Sequence, residues 1–337
     1  MEQTALLAAS LGAMLLTAGS GLLLVPALRR LHFGQTIKEI GPTWHQAKNG
    51  TPTMGGLMFY LGVLFGVVLG YALIAVNVPE LTDGLFSPQT TQLIITILTA
   101  YAFGFVGLAD DYIKVVKKRN LGLEARYKII GQIFITGAFL ISMQINGTLT
   151  TIVNLPVFGG VDFGLLYYPI SFFLIIGMVN AVNLTDGIDG LAASVTFVSM
   201  LGFMFIAGWL GNLEMALFAA AVTGGCAGFL CWNFYPAKCF MGDTGSMFLG
   251  GAVVAVAYGM GRPELLLFFG IIYLAEAFSV MIQVGYFKLT HGKRIFKMSP
   301  IHHHFEMSGW SEVRIDFVFS LVTLTFVFLG CMYVYIS

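Results

Sequence analysis

The chain has 337 residues, of which 57% are hydrophobic and only 10% charged, and its seventeen basic residues balance seventeen acidic ones. Soluble domains carry about 25% charged residues, so this composition excludes an ordinary soluble globule, as does a mean hydropathy of +0.85. Zero net charge suggests no nucleic-acid partner, and the local placement of charge matters more than the total. The four cysteines, Cys226, Cys231, Cys239 and Cys331, form no CxxC pair, which argues against a disulfide framework or a zinc site.

Ten apolar segments are predicted, at 4–28, 54–76, 91–113, 128–145, 165–182, 190–210, 213–231, 244–260, 264–287 and 314–336. Most are near the roughly 20 residues that a helix needs to cross the hydrocarbon core. Backbone groups in lipid must be paired within their own segment, which favours helices, and no segment alternates as a barrel strand does. The first segment starts at Thr4 without a basic leader or a cleavage site, so it reads as a retained span. The predicted fold is therefore an all-α integral membrane protein, one polytopic domain over 1–337 with ten transmembrane helices. Sixteen of the seventeen basic residues fall in the connections after spans 1, 3, 5, 7 and 9, and Arg262 is the exception. Basic connections mark the cytoplasmic side, which puts both termini on the outer face. The outer connection 146–164 alternates weakly around Gly159 and Gly160 and predicts a small outer-face hairpin between spans 4 and 5. Single acidic residues of the outer side, Glu80, Asp83, Asp162, Glu214 and Glu264, read as solvated loop charges.

The inner carboxylates are grouped instead. GLADDYIKV ends span 3 with Asp110 and Asp111, NAVNLTDGIDGLAA places Asp186 and Asp189 between spans 5 and 6, and MGDTGS opens span 8 with Asp243. Two adjacent carboxylates at a helix C-terminus face the unfavourable end of the dipole and repel each other unless a cation lies between them. Mg²⁺ takes oxygen ligands of this kind, together with substrate phosphates. The GDTGS helix start offers free N–H groups suited to phosphate. Lysines flank these stretches: Lys48 before span 2, and Lys114, Lys117, Lys118 and Arg119 after the aspartate pair. Positive-inside anchoring accounts for most of them, with one or two left to clamp a diphosphate. In MSPIHHHFEMSGW, His302, His303 and His304 are consecutive and are followed by a complete last span. That position excludes a tag, and neighbouring side chains diverge too much to bind one ion. Imidazoles on the inner face can instead donate hydrogen bonds to phosphate or sugar oxygens.

Taken in order, GTPTMGG (50–56), GLADDYIKV (107–115), NAVNLTDGIDGLA (180–192), NFYPAKCFMGDTGSMFLGG (233–251) and SPIHHHFEMSGWSE (299–312) resemble the phospho-N-acetylmuramoyl-pentapeptide transferases, of the polyprenyl-phosphate N-acetylhexosamine-1-phosphate transferase superfamily. The resemblance covers essentially the whole chain. It implies a Mg²⁺-dependent enzyme of the bacterial cell membrane, with its active site on the cytoplasmic face. Such an enzyme transfers phospho-MurNAc-pentapeptide from UDP-MurNAc-pentapeptide to undecaprenyl phosphate, giving lipid I and UMP for peptidoglycan. The implied partners are the two substrates and the bilayer, with no nucleic acid; a homodimer stays open. By the same resemblance Asp243 is the Mg²⁺ ligand, Asp110 is a base or lipid-phosphate positioner with Asp111 beside it, and Asp186 and His302 belong to the catalytic group. Gly187, Ile188, Asp189, Asn233 and Phe240 form the uridine pocket, and Lys48, Thr53, Asn180, Gln283 and His303 complete the donor site. Ile188 replaces the leucine usual at that turn.

Two alternatives stay open on the sequence. A sister enzyme would use UDP-GlcNAc with the same lipid. An ion-coupled transporter would need carboxylates near the bilayer midplane, and only Glu276, in span 9, reads that way.

Overall fold

A computed structural model describes residues 2–31, 48, 50–77, 87–116, 122–156 and 158–336. Its helices are α1 (Glu2–Arg30), α2 (Leu57–Asn77), α3 (Pro88–Val116), α4 (Ala125–Ile145), α5 (Tyr167–Thr185), α6 (Leu191–Trp209), α7 (Leu213–Asn233), α8 (Gly242–Gly259), α9 (Leu266–Phe269), α10 (Ile271–Leu289), α11 (Ile301–Glu306) and α12 (Glu312–Ile336). Among the described residues, nine helices are long and apolar enough to cross a membrane by length and composition: α1 to α7, α10 and α12. Among the described residues this integral membrane protein is helical apart from one hairpin.

Two of the ten expected spans differ in kind. The segment expected at 244–260 is α8, which is buried at every position from Thr244 to Gly259 and is not among the nine. Its glycines and alanines let neighbouring backbones close in, as small residues do between membrane helices. A Cβ at Gly250 would lie 2.9 Å from the Val179 Cα of α5, and one at Gly251 would lie 3.0 Å from the Ala100 Cα of α3. The segment expected as one span over 264–287 is broken at Gly270 into the stub α9 and the longer α10. A Cβ there would press on the Leu266 carbonyl oxygen and on Met178 of α5, so the close approach of α5 coincides with the break. Beyond it α10 carries an exposed apolar face with Phe278, Met281, Ile282 and Leu289.

The expected hairpin is present. β1 (Ile152–Leu155) pairs antiparallel with β2 (Gly159–Asp162), Ile152 opposite Asp162 and Leu155 opposite Gly159. The Tyr333 hydroxyl, from the last turns of α12, donates to the Asn154 carbonyl at 2.7 Å.

Asp162 is exposed, and its carboxylate accepts from the Thr151 hydroxyl and the Gly164 N–H at 2.6 and 2.9 Å. These bonds hold its pKa below the usual range. Glu264 corrects the expectation of a solvated charge, being only 3% exposed. The 3₁₀ turn Pro263–Leu265 folds it inward, where Arg262 lies 3.3 Å from it and burial raises its pKa. Glu80 and Asp83 lie outside the described residues.

The connections that the basic residues assign to one side do meet. Phe240 N–H donates to the Pro52 carbonyl at 2.8 Å, while Gly55 and Gly56 donate to the carbonyls of Phe240 and Met241, both at 2.9 Å. Ala237 N–H donates to Asp189 at 2.8 Å. Lys48 reaches Asp189 and Glu312, the latter opening α12.

Candidate active site

Asp110 and Asp111 stand in the last turns of α3, and Asp243 in the first turn of α8. A Cβ at Gly107, one turn before Asp110, would overlap the Asp243 carbonyl, so only glycine lets the two backbones touch here. Gly242 has φ +67°, a left-handed turn that glycine adopts at little cost. It swings the chain into α8 directly beneath Asp111. The N–H and hydroxyl of Thr244 both donate to Asp111 Oδ2, at 2.9 and 2.7 Å, which gives a free helix-start donor an anionic acceptor.

The three carboxylates each offer an oxygen within 4.8 Å of the others. One oxygen of each is already committed: Asp110 Oδ1 accepts from Leu123 N–H at 2.8 Å, Asp111 Oδ2 accepts from Thr244, and Asp243 Oδ1 accepts from the Asn183 amide at 2.9 Å. The remaining oxygens face two ammonium groups. Lys114 Nζ lies 2.5 Å from Asp110, 3.7 Å from Asp111 and 3.1 Å from Asp243, and Lys128 Nζ lies 2.7 Å from Asp243 and 3.9 Å from Asp110. Three convergent carboxylate oxygens in a largely buried site suit a hard divalent cation of the Mg²⁺ class.

Asp186 caps the C-terminus of α5. Burial raises its pKa well above the usual carboxylate range, and the charges of Asp243, Asp111 and Asp189 push it further.

A second constellation adjoins the first. Lys48 Nζ lies 2.7 Å from Asp189 and 2.6 Å from Glu312, and Glu312 also accepts from Asp189 N–H at 2.9 Å. Asn233 Oδ1 accepts from Gly190 N–H at 3.1 Å, while its amide donates to the Cys239 carbonyl at 3.0 Å. Gly187, Ile188 and Asp189 are thereby drawn together with Asn233 and the segment that carries Phe240. Thr53 lies on the strand-like segment paired with Phe240, its hydroxyl 2.8 Å from where a Gly242 Cβ would stand, so it borders both constellations.

Asn180 and Gln283 are occupied elsewhere. The Asn180 amide donates to Gln132 at 2.8 Å and accepts from it at 3.2 Å. Gln283 accepts from the N–H groups of Ile295 and Phe296 at 3.1 and 3.0 Å and donates to the Phe296 carbonyl at 3.2 Å, pegging the connection that follows α10. His302 is fully buried against Gly187 and Glu276. His303 Nδ1 lies 2.6 Å from Glu306, and His304 Nδ1 accepts from Lys297 N–H at 3.1 Å.

The partners to which the sequence assigns no role are Lys128, Asn183 and Glu312. Asn183 had a visible cue, lying one helical turn from Asn180 within the same motif. Glu312 ends the SPIHHHFEMSGWSE motif but looks like any first-turn acid. Lys117, Lys118 and Arg119 lie outside the described residues.

Comparison with known proteins follows the same lines. The family model described as "Glycosyl transferase family 4" matches residues 93–261, and "Phospho-N-acetylmuramoyl-pentapeptide-transferase signature 1" matches residues 48–59. The first spans α3 to α8, which carry all three clustered aspartates, and the second runs from Lys48 to Phe59. The chain is 46% identical over 323 residues to a phospho-N-acetylmuramoyl-pentapeptide-transferase of Thermoanaerobacter sp. (strain X514), covering 96% of each chain. It is 48% identical over 311 residues to one of Heliobacterium modesticaldum, covering 92% of this chain and 91% of the relative. It is 43% identical over 317 residues to one of Clostridioides difficile, covering 94% and 93%. With such identity carried from end to end across a multi-pass helical fold, this bacterial membrane protein belongs to the phospho-N-acetylmuramoyl-pentapeptide-transferase family.

Proposed function

We propose that the chain transfers phospho-MurNAc-pentapeptide from UDP-MurNAc-pentapeptide to undecaprenyl phosphate, releasing UMP and forming lipid I for peptidoglycan. The observation that carries this reading is the meeting of Asp110, Asp111 and Asp243 with Lys114 and Lys128 at the start of α8, beside the Pro52–Phe240 seam. The names of the relatives support the donor, and the membrane helices give a lipid acceptor a route to the site.

The reaction exchanges one phosphoanhydride for another. An oxygen of the lipid phosphate bonds to the β-phosphorus, the bond from that phosphorus to the bridging oxygen breaks, and UMP leaves with the electron pair. The protein's task is therefore positioning and charge neutralisation. The lipid phosphate, with a second pKa of about 6, is already ionised near neutral pH, so Asp110 orients it rather than deprotonating it. Lys114 and Lys128 supply cations beside the reacting phosphates. Asp243, with Asp110 and Asp111, would hold a magnesium ion, which when bound neutralises charge on the diphosphate. Phe240 stacks on the uracil; Thr53, Gly187, Ile188, Asp189 and Asn233 border the nucleotide. His302 and His303 cover the donor side of the site. Asn180 and Gln283 act through the helix and loop they hold.

The whole chain is read as one polytopic transferase domain with the site on the cytoplasmic face and both termini outside. In this reading α8 is the tenth crossing, screened from lipid by its neighbours, and the hairpin lies on the outer face.

Purified protein with Mg²⁺ and undecaprenyl phosphate, supplied with UDP-MurNAc-pentapeptide or UDP-GlcNAc in turn, tests the reading. UMP should appear with the first donor only. No UMP from UDP-MurNAc-pentapeptide would refute it, and UMP from UDP-GlcNAc alone would favour the sister reaction. A phospho-sugar trapped on an aspartate without lipid present would replace direct attack by a two-step route.

Lys48→Met should raise the KM for the donor by about 10–100-fold, the value of one charge-assisted contact of roughly 1.5–3 kcal/mol. It should leave kcat within about threefold. Initial rates across donor concentration check this; an unchanged KM would remove Lys48 from the donor site.

A further inference from the structure

Glu276 has no place in the chemistry above, yet it is a carboxylate in the apolar stretch IIYLAEAFSV of α10. Both Glu276 and His302 are 0% exposed. Glu276 Oε1 lies 3.1 Å from His302 Nδ1, and Oε2 accepts from the His302 backbone N–H at 3.4 Å. One carboxylate thus meets two points of one residue. The other ring nitrogen, Nε2, has no hydrogen-bond partner among the described residues, and Nδ1 and Glu276 Oε1, though 3.1 Å apart, are not aligned as a hydrogen bond either. It faces Gly187, where a Cβ would collide with it, so Nε2 is aimed at the DGIDG turn that borders the nucleotide.

A buried polar atom without a partner costs about 1–3 kcal/mol, and a buried carboxylate in an apolar helix costs more. Both costs are reduced if the two groups work as a relay toward a ligand. A carboxylate facing one ring nitrogen draws a proton to that nitrogen and leaves the other free for a ligand. When the ring carries two protons, the same carboxylate supplies the balancing charge and Nε2–H becomes a donor to an anionic oxygen.

We propose that Glu276 is a positioning residue for the transferase reaction, bonded to the main-chain N–H of His302 and facing its Nδ1, so that Nε2 points across Gly187 toward the bound donor. The assignment rests on the function proposed above. A purely structural tie between α10 and α11 would use the same two groups, so the test must distinguish the two roles.

The experiment is a double-mutant cycle of Glu276→Ala and His302→Ala on the full-length protein, reading kcat and the donor KM for UMP release, with Glu276→Gln as the conservative variant. Loss of a group that orients a functional side chain costs about 10–100-fold. Glu276→Ala should lower kcat by that factor with little change in KM. Glu276→Gln, which keeps the shape and one acceptor, should recover part of the loss. The double variant should be no slower than His302→Ala alone, because Glu276 acts only through that ring. Wild-type kcat in Glu276→Ala, or losses that multiply in the double variant, would overturn the assignment. If Glu276→Ala does not fold, the same cycle run with Glu276→Gln decides by the same criterion. A wild-type protein that releases no UMP fails the proposed function itself and takes this assignment with it.

Discussion

Asp243→Asn should cut UMP release by about 10³-fold, the upper end of what one charge-stabilising group contributes, while leaving the protein folded. Asparagine can still accept from the Asn183 amide through its carbonyl, as Asp243 Oδ1 does at 2.9 Å. Its amide nitrogen then faces Lys114 and Lys128, donor against donor, where a carboxylate oxygen now sits 3.1 and 2.7 Å from them. A divalent cation held by this cluster would lose a ligand, and the two lysines lose the carboxylate that organises them. Two features protect the fold: Lys114 keeps its pairing with Asp110 at 2.5 Å, and α8 stays walled in along its length. Initial rates and the melting temperature in detergent should separate. A variant retaining a tenth of wild-type activity would remove Asp243 from the centre of the reaction.

Gly107→Ala is expected to damage stability and activity together. The added methyl overlaps the Asp243 carbonyl, backbone against side chain, so no flexible group can step aside. Overpacking of this kind costs about 1–3 kcal/mol, and a contact with the main chain belongs at the top of that range. The least costly relief is for α3 to withdraw from α8, which stretches the two bonds from Thr244 to Asp111 and opens the carboxylate cluster. The melting temperature should fall and UMP release should drop at least about tenfold, since small displacements of positioned groups are costly to catalysis. Gly177→Ala is the control: a Cβ there meets nothing within 4 Å, and both readouts should match wild type. Wild-type behaviour of Gly107→Ala would mean that α3 and α8 can part by a methyl group without cost to the site.

Much of this architecture can be read in the residues. Apolar runs of helical length and lopsided basic connections are one-dimensional properties, so the helices, the hairpin and the shared side of Lys48, Asp189 and Phe240 follow from them directly. The Asp110–Asp111 pair and the Asp243 helix start stood out because like charges need a reason to be neighbours. Hydropathy, however, does not tell lipid from protein as the surrounding medium, so α8 read like any other span although no lipid-facing residue remains on it from Thr244 onward. The break at Gly270 coincides with the close approach of Met178, some ninety residues away in the chain, and a single glycine in the apolar run FFGIIY does not reveal that neighbour. The same holds for polar partners. Asn180 and Asn183 look alike in the motif, but the helix turns one toward Gln132 and the other toward Asp243. Glu264 looked solvated because Gly261 and Pro263 mark a turn without showing that it folds the carboxylate inward.

The burial of α8 also bears on how the chain is made. Its main neighbours, α3, α5, α6 and α7, all precede it, so in the nascent chain the slot exists before its occupant does. A helix with a glycine-rich face and a charged first turn gains little from lipid alone and has most to gain from entering a prepared cleft. The cations wait in the same way: Lys114 is already neutralised by Asp110, one turn back on its own helix, when Asp243 emerges from the ribosome more than a hundred residues later. The reactive cluster therefore closes only when α8 inserts, and a nascent chain halted before Gly242 would hold the lysines and two of the carboxylates without the residue that joins them.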